Sequence, residues 1–170
     1  MRAAWLIVVT LVGCDVGARH VPDPAAPGVS RPTDLANESL GPLHPGLDAA
    51  AVQRLLGKPT IAAAPVKEEA LGTYAVTWSY LSTILAMMGR SATGPWSVNH
   101  VTVSTGSTLS TRAGVHPGST RAELVRAYPA GRATSDTELF VGSADPGNPG
   151  ILFMLAQDRV TAIEIGIFGF

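Results

Sequence analysis

HPGLDAAAVQRLLG at residues 44–57 returns as HPGSTRAELVRAYP at residues 116–129, in register at an offset of 72 with no gap. His44-Pro45-Gly46 matches His116-Pro117-Gly118, Asp48 matches Thr120, and Arg54 matches Arg126. The apolar positions Val52, Leu55 and Leu56 match Leu124, Ala127 and Tyr128, the i, i+3, i+4 spacing of one helix face. Each segment opens on a Pro-Gly turn and then an N-cap side chain, Asp48 or Thr120, able to accept from the first unpaired helix amides. Thr120 followed by Glu123 is also a capping box. Two short helices are predicted, ending near Gly57-Lys58-Pro59 and Pro129. Helices of two to three turns are marginal alone, so each must pack on something.

The flanking sequence supplies sheet. Residues 73–82 (TYAVTWSYLS) alternate in part, with Tyr74, Val76, Trp78 and Tyr80 on one face, and residues 83–88 (TILAMM) are a short apolar run. Residues 96–105 (WSVNHVTVST) place Trp96, Val98, Val101 and Val103 in strand-like positions with a local irregularity. Residues 137–143, 151–156 and 160–167 read the same way, the last two forming a hairpin across Gln157-Asp158-Arg159. A helix followed by strands, twice, predicts an α+β fold. The expected form is two tandem helix-plus-antiparallel-sheet units, residues 42–110 and 111–170, with helices packed on one face of a mostly antiparallel sheet.

The N-terminus reads as an address. After Met1-Arg2, residues 3–12 (AAWLIVVTLV) are almost unbroken apolar sequence. Ten helical residues span about 15 Å, half of a hydrocarbon core near 30 Å, so the run fits a secretory h-region rather than a membrane span. It closes in Leu11-Val12-Gly13-Cys14, which resembles the bacterial lipobox, and Cys14 is the chain's only cysteine. That resemblance implies cleavage after residue 13, a diacylglycerol on the Cys14 thiol and acylation of the new amino group. Several acyl chains give stable anchoring. Asp15 resembles an enteric inner-membrane retention signal. The expected address is therefore the cell envelope, lipid-anchored on the periplasmic side, with the outer membrane favoured and the inner membrane left open. Residues 14–41 carry Pro22, Pro24, Pro27 and Pro32 and read as the lipidated cysteine plus a proline-rich tether.

The composition excludes several classes. The 170 residues hold 12 Lys+Arg against 13 Asp+Glu, so no cationic surplus exists to neutralise nucleic-acid phosphates. At 46% hydrophobic and 15% charged the chain is too apolar for wholesale disorder. One cysteine excludes a disulfide scaffold and a cysteine-cluster metal site. No H-x-x-H or H-E-x-x-H occurs, nor a G-x-S-x-G elbow, nor a phosphate-cradling glycine loop, so no metal, cofactor or catalytic residue is assigned. His44 and His116 share a turn position and hence a structural role. His100 reads as exposed on an edge strand, and Glu68-Glu69 as solvated. The run 102–111 (TVSTGSTLST) reads as a soluble edge and linker. Trp78, Tyr80 and Trp96 are the candidate partner-binding residues, since aromatics in strands serve either a core or a binding platform.

HPGLDAAAVQRLLGKP followed by TWSY resembles the small outer-membrane lipoprotein family of the barrel-assembly machinery, the SmpA/OmlA type. Gly46, Asp48, Val52, Leu56, Gly57, Pro59, Trp78 and Tyr80 carry the likeness. The second unit makes the chain similar to the tandem fold of the β-lactamase-inhibitor-protein type. The resemblance spans roughly residues 43–167. It implies a non-enzymatic protein-binding or scaffold module with an envelope protein partner, in outer-membrane assembly as one version. The alternative is an inhibitor-like or sensor module that binds a secreted enzyme or envelope ligand through its sheet face.

Overall fold

The computed structural model describes residues 32–143, 145 and 147–168. The chain enters through a 3-10 turn, Pro32–Asn37, and continues into α1 (Ala49–Leu56). Five strands follow: β1 (Ile61–Ala62), β2 (Val66–Glu68), β3 (Thr73–Ser79), β4 (Thr83–Gly89) and β5 (Trp96–Ser104). After α2 (Arg121–Ala127) come β6 (Arg132–Ser135), β7 (Glu138–Gly142), β8 (Asn148–Ala156) and β9 (Arg159–Phe168).

All nine strands belong to one antiparallel sheet in the order β1-β3-β4-β5-β9-β8-β7-β6, with β2 also paired to β3. The sequence expectation of two tandem helix-plus-sheet units is therefore overturned. The join is β5 against β9, where Val101 opposes Ile165 and Val103 opposes Ile163. Separate units would leave these two long strands with unpaired backbone edges, and pairing them satisfies both rows of amides and carbonyls. The helices are minor elements of eight and seven residues, and each fully buries one side chain, Val52 or Leu124. The sheet, not a helix–sheet repeat, organises the molecule.

The two HPG segments act as latches onto that sheet. Gly46 N–H donates to Val98 O (2.7 Å) and Val98 N–H to Leu47 O (2.8 Å). Gly118 and Val160 repeat the first contact at 2.7 Å, and Val160 N–H donates to Ser119 O at 2.9 Å. Both glycines lie in the left-handed region, at φ 85° and 103°, where a side chain is strained. Each preceding histidine closes its turn through Nδ1, His44 on Pro45 O (2.8 Å) and His116 on Pro117 O (2.9 Å). The caps form as their sequence demands. Asp48 accepts from Ala51 N–H, and Thr120 and Glu123 make a reciprocal capping box. The Glu123 carboxyl is held below its usual range, first by the Thr120 amide and then by the Thr120 hydroxyl.

One face of the sheet is core. Val76, Leu85, Met87, Val98, Val101, Val103, Ile151, Phe153, Ile163 and Ile165 line it and are buried. Leu40 and Leu43, both fully buried, and Leu35 join them from the entering segment. That segment is tied down by Glu38, itself only 4% exposed. Its Oε1 accepts from Arg112 N–H (2.8 Å) and Ser39 N–H (3.0 Å), and its Oε2 from Tyr128 O–H (3.1 Å). Burial raises the Tyr128 phenol above its ordinary value, with the facing carboxylate adding to the rise, so it remains a donor at any working pH.

Candidate functional site: the uncovered face of the sheet

The opposite face of the sheet carries none of the main core cluster, and its composition is unusual for a wetted surface. Successive strand residues point to opposite faces, so the register fixes its lining. Facing out are Ala75, Thr77 and Ser79 on β3, Ile84, Ala86 and Met88 on β4, Thr102 on β5, and Leu152 and Met154 on β8. Most are half-buried, and Ile84 is 47% exposed. An antiparallel sheet with one solvated face ordinarily shows polar residues there. The five central strands of this face instead carry small, hydroxyl and apolar side chains. The charge-bearing groups at its middle are His100 and Glu164.

A β-bulge puts His100 there. Val98 pairs with Met87 and His100 with Ala86, so Asn99 is the extra residue. Simple alternation from Val98 would send residue 100 into the core and residue 101 outward. The bulge reverses this, burying Val101 and Val103 and presenting His100 and Thr102. One cross-strand rank then reads Thr77, Ala86, His100, Gly166, Gly150, Gly142. The three glycines are required by what lies on them. A Cβ at Gly166 would sit 2.6 Å from the His100 ring, and one at Gly150 would sit 2.6 Å from the Phe140 ring. Phe168 meets both rings edge-on, at 5.1 Å from His100 and 5.4 Å from Phe140.

His100 is held from both ring nitrogens. Nδ1 lies 2.6 Å from Glu164 Oε1, and Nε2 lies 2.8 Å from Ile167 O. Both partners are acceptors, so the ring serves both only as the doubly protonated imidazolium. Its pKa is accordingly raised, first by the Glu164 hydrogen bond and against the opposing effect of burial. A raised folded-state pKa stabilises the fold below the unfolded value of about 6.5 and ceases to do so as pH rises through the folded pKa. Wild-type stability is expected to fall as pH climbs above about 6.5, while His100→Gln is expected to be flat across that window. At pH 5.5 the variant should be less stable by about 2 kcal/mol, the scale of a charge-assisted hydrogen bond. Denaturant titration at a series of pH values measures both. A wild type whose stability does not fall above pH 6.5 refutes the pairing.

The candidate aromatics read from the sequence lie elsewhere. Trp78 is 8% exposed and belongs to the core, while Tyr80 and Trp96 pack against that core half-buried. Tyr80 O–H donates to Gly57 O at 3.3 Å, and the Trp96 ring covers Gly89, whose Cβ would lie 2.8 Å from it. All three stand on the covered side, packed in or against the core. His100 sits on a central strand between β4 and β9 rather than on an edge. Glu164 and Phe140 escaped sequence reading, although the glycines at 142, 150 and 166 were a visible signal. Cys14 lies outside the described residues. Among the described residues no group of three or more His, Cys, Asp or Glu could hold a metal, and no helix is long and apolar enough to cross a membrane. No known protein family matches the chain, and neither curated proteins nor solved structures yield a match.

Proposed function

We propose that this chain is a lipid-anchored cell-envelope protein that acts as a non-enzymatic protein-binding module, with the uncovered sheet face as its binding surface. The observation that carries the reading is the asymmetry of the sheet. Among the described residues, one face is covered by α1, α2 and the entering segment, while the other is partly exposed and holds the His100–Glu164 ion pair at its centre, with Glu68, Arg132 and Glu138 only on the outer strands. Such a face suits a partner that buries apolar and hydroxyl groups, and Met88 and Met154 are adaptable contacts within it. The lipobox at Cys14 supports the anchor, and the resemblance to the assembly-machine lipoproteins supports an envelope partner. An inhibitor-like or sensor role would use the same face.

A crosslinking pull-down from membranes of a bacterial host tests the reading, comparing wild type, Cys14→Ala and Thr77→Arg. Thr77 is exposed on the uncovered face and makes no core contact, so an arginine there leaves the fold intact and puts an unpaired charge against any docked partner. Loss of the crosslinked partner in Thr77→Arg, with the chain still on the membrane, is the expected result. Retention of that partner at wild-type yield refutes the face assignment. A purified wild-type chain found by mass spectrometry to carry no lipid on Cys14 refutes the anchor.

A further inference from the structure

One end of the sheet combines projecting apolar groups with cations and has no carboxylate beside them. Leu81 tips the β3–β4 turn and is fully exposed at 103%, the largest value among the exposed hydrophobics, and Ile61 (63%) and Leu55 (48%) are also exposed. They meet at the same end. Ile61 pairs with Ser79, Thr60 N–H donates to Ser79 O at 2.9 Å, and Tyr80 O–H joins the end of α1 through Gly57 O. Arg54, whose Nε donates back to Ala50 O at 3.4 Å, and Lys58 lie within three residues of Leu55 and are exposed. Neither residues 49–66 nor residues 73–89 contain an acidic side chain. Asp48 lies at the far end of α1, about 12 Å away along eight residues. Glu68 pairs with Thr73, at the opposite end of β3. The neighbouring loop, joined by Ser104 N–H to Ser82 O at 2.9 Å, is uncharged through residue 110.

We propose that this end of the sheet docks on an anionic lipid leaflet, with Leu81 inserted among the headgroups and Arg54 and Lys58 against their phosphates. A protruding apolar tip flanked by cations is the form of an interfacial anchor, whereas a protein hot spot needs a packed, water-excluding surround. The inference rests on the lipid anchor at Cys14 and goes beyond it. The 17 residues between Cys14 and Pro32 reach at most about 60 Å, which lets the body lie on the membrane that holds it. In that placement the anchored body has a fixed orientation rather than a free one.

The test uses the full lipidated chain in vesicles. With Cys14 blocked by its lipid, Leu81→Cys supplies the one free thiol for an environment-sensitive fluorophore. In vesicles containing phosphatidylglycerol the label is expected to shift to the blue and to be quenched by lipid-borne quenchers. A label at Glu69→Cys, near the far end of β3, should stay aqueous. Arg54→Gln with Lys58→Gln should lower the inserted-to-free ratio about 25-fold, about fivefold per cation, as should purely zwitterionic vesicles. Mass spectrometry of the purified chain separates the two readings. A chain without lipid on Cys14 overturns both, and a lipidated chain whose Leu81 label stays aqueous overturns the docking alone. A label shielded equally in neutral vesicles and untouched by lipid-borne quenchers reports a protein contact and also overturns it.

Discussion

Phe153→Ala is expected to cost about 4 kcal/mol and to lower the melting temperature by roughly 10 °C in a single transition seen throughout the molecule. Phe153 is fully buried at the middle of β8 and packs against Tyr128 with ring centroids 5.2 Å apart. Truncation removes its transfer free energy and leaves a cavity bounded by sheet on one side, which collapses poorly. Trp78 and Trp96 stand in the first half of the chain, on β3 and β5, and Phe153 stands in the second. Because β5 pairs with β9 and one core runs beneath both, tryptophan fluorescence should report the same shifted midpoint as far-ultraviolet circular dichroism. Leu85→Ala on β4 should shift that same transition by about 3 kcal/mol. Two midpoints, with the tryptophans melting at the wild-type temperature in Phe153→Ala, would contradict the single core.

The second large effect is expected at Glu38. Glu38→Ala strips three donors of their acceptor, the Ser39 and Arg112 amides and the Tyr128 hydroxyl. Leaving buried donors unpaired costs the desolvation of each, about 3–4 kcal/mol together once the partly buried amides regain water. Glu38→Gln keeps one acceptor oxygen but turns an NH2 group toward a donor, and about 2 kcal/mol is expected. Tyr128→Phe removes the hydroxyl that donates to Glu38 and keeps the ring packing, so its expected cost is about 1–1.5 kcal/mol. A double-mutant cycle between Glu38 and Tyr128 should show coupling above about 0.5 kcal/mol. The expected consequence reaches beyond stability. Glu38 clamps the entering segment that bears Leu35 and Leu40, so Glu38→Ala should also speed proteolysis near residues 32–43. Wild-type stability in Glu38→Ala would show that the clamp contributes nothing.

Local structure was legible because its signals are local. Asp48 and Thr120 announce their helices through capping chemistry, and Gly57 and Pro129 mark where those helices stop. Alternation at Val76 and Trp78, and the Gln157-Asp158 turn with both residues left-handed, located strands and a hairpin. Topology was not legible. The pairing of β5 with β9 joins residues some sixty positions apart through backbone groups that look alike in any sequence. The repeated HPG latch therefore read as the start of a second unit, when it attaches a second helix to the same sheet. β1, β2 and β6 were missed because strands of two to four exposed residues have no buried face to write a period.

The side of the sheet on which each strand residue falls was not legible, for one physical reason. Trp78, Tyr80 and Trp96 were legible as strand aromatics, but their side of the sheet depends on which face receives the helices, a tertiary fact. The bulge at Asn99 then exchanges the faces of His100 and Val101. A shift of one residue in a period of two moves every later side chain across the sheet. The His100–Glu164 pair could not be foreseen from residues 64 positions apart. It stands at the middle of that face, while Glu68, Arg132 and Glu138 lie on its outer strands.

The most direct test places a photocrosslinking amino acid at Thr102, in the middle of the uncovered face beside Glu164, and in a second strain at Ala50, exposed on α1. Illumination of cells carrying each form is predicted to give a discrete adduct from position 102 and none from position 50, and Thr77→Arg is predicted to abolish the adduct. An adduct from position 50 with none from position 102 would contradict the assignment of binding to the uncovered face.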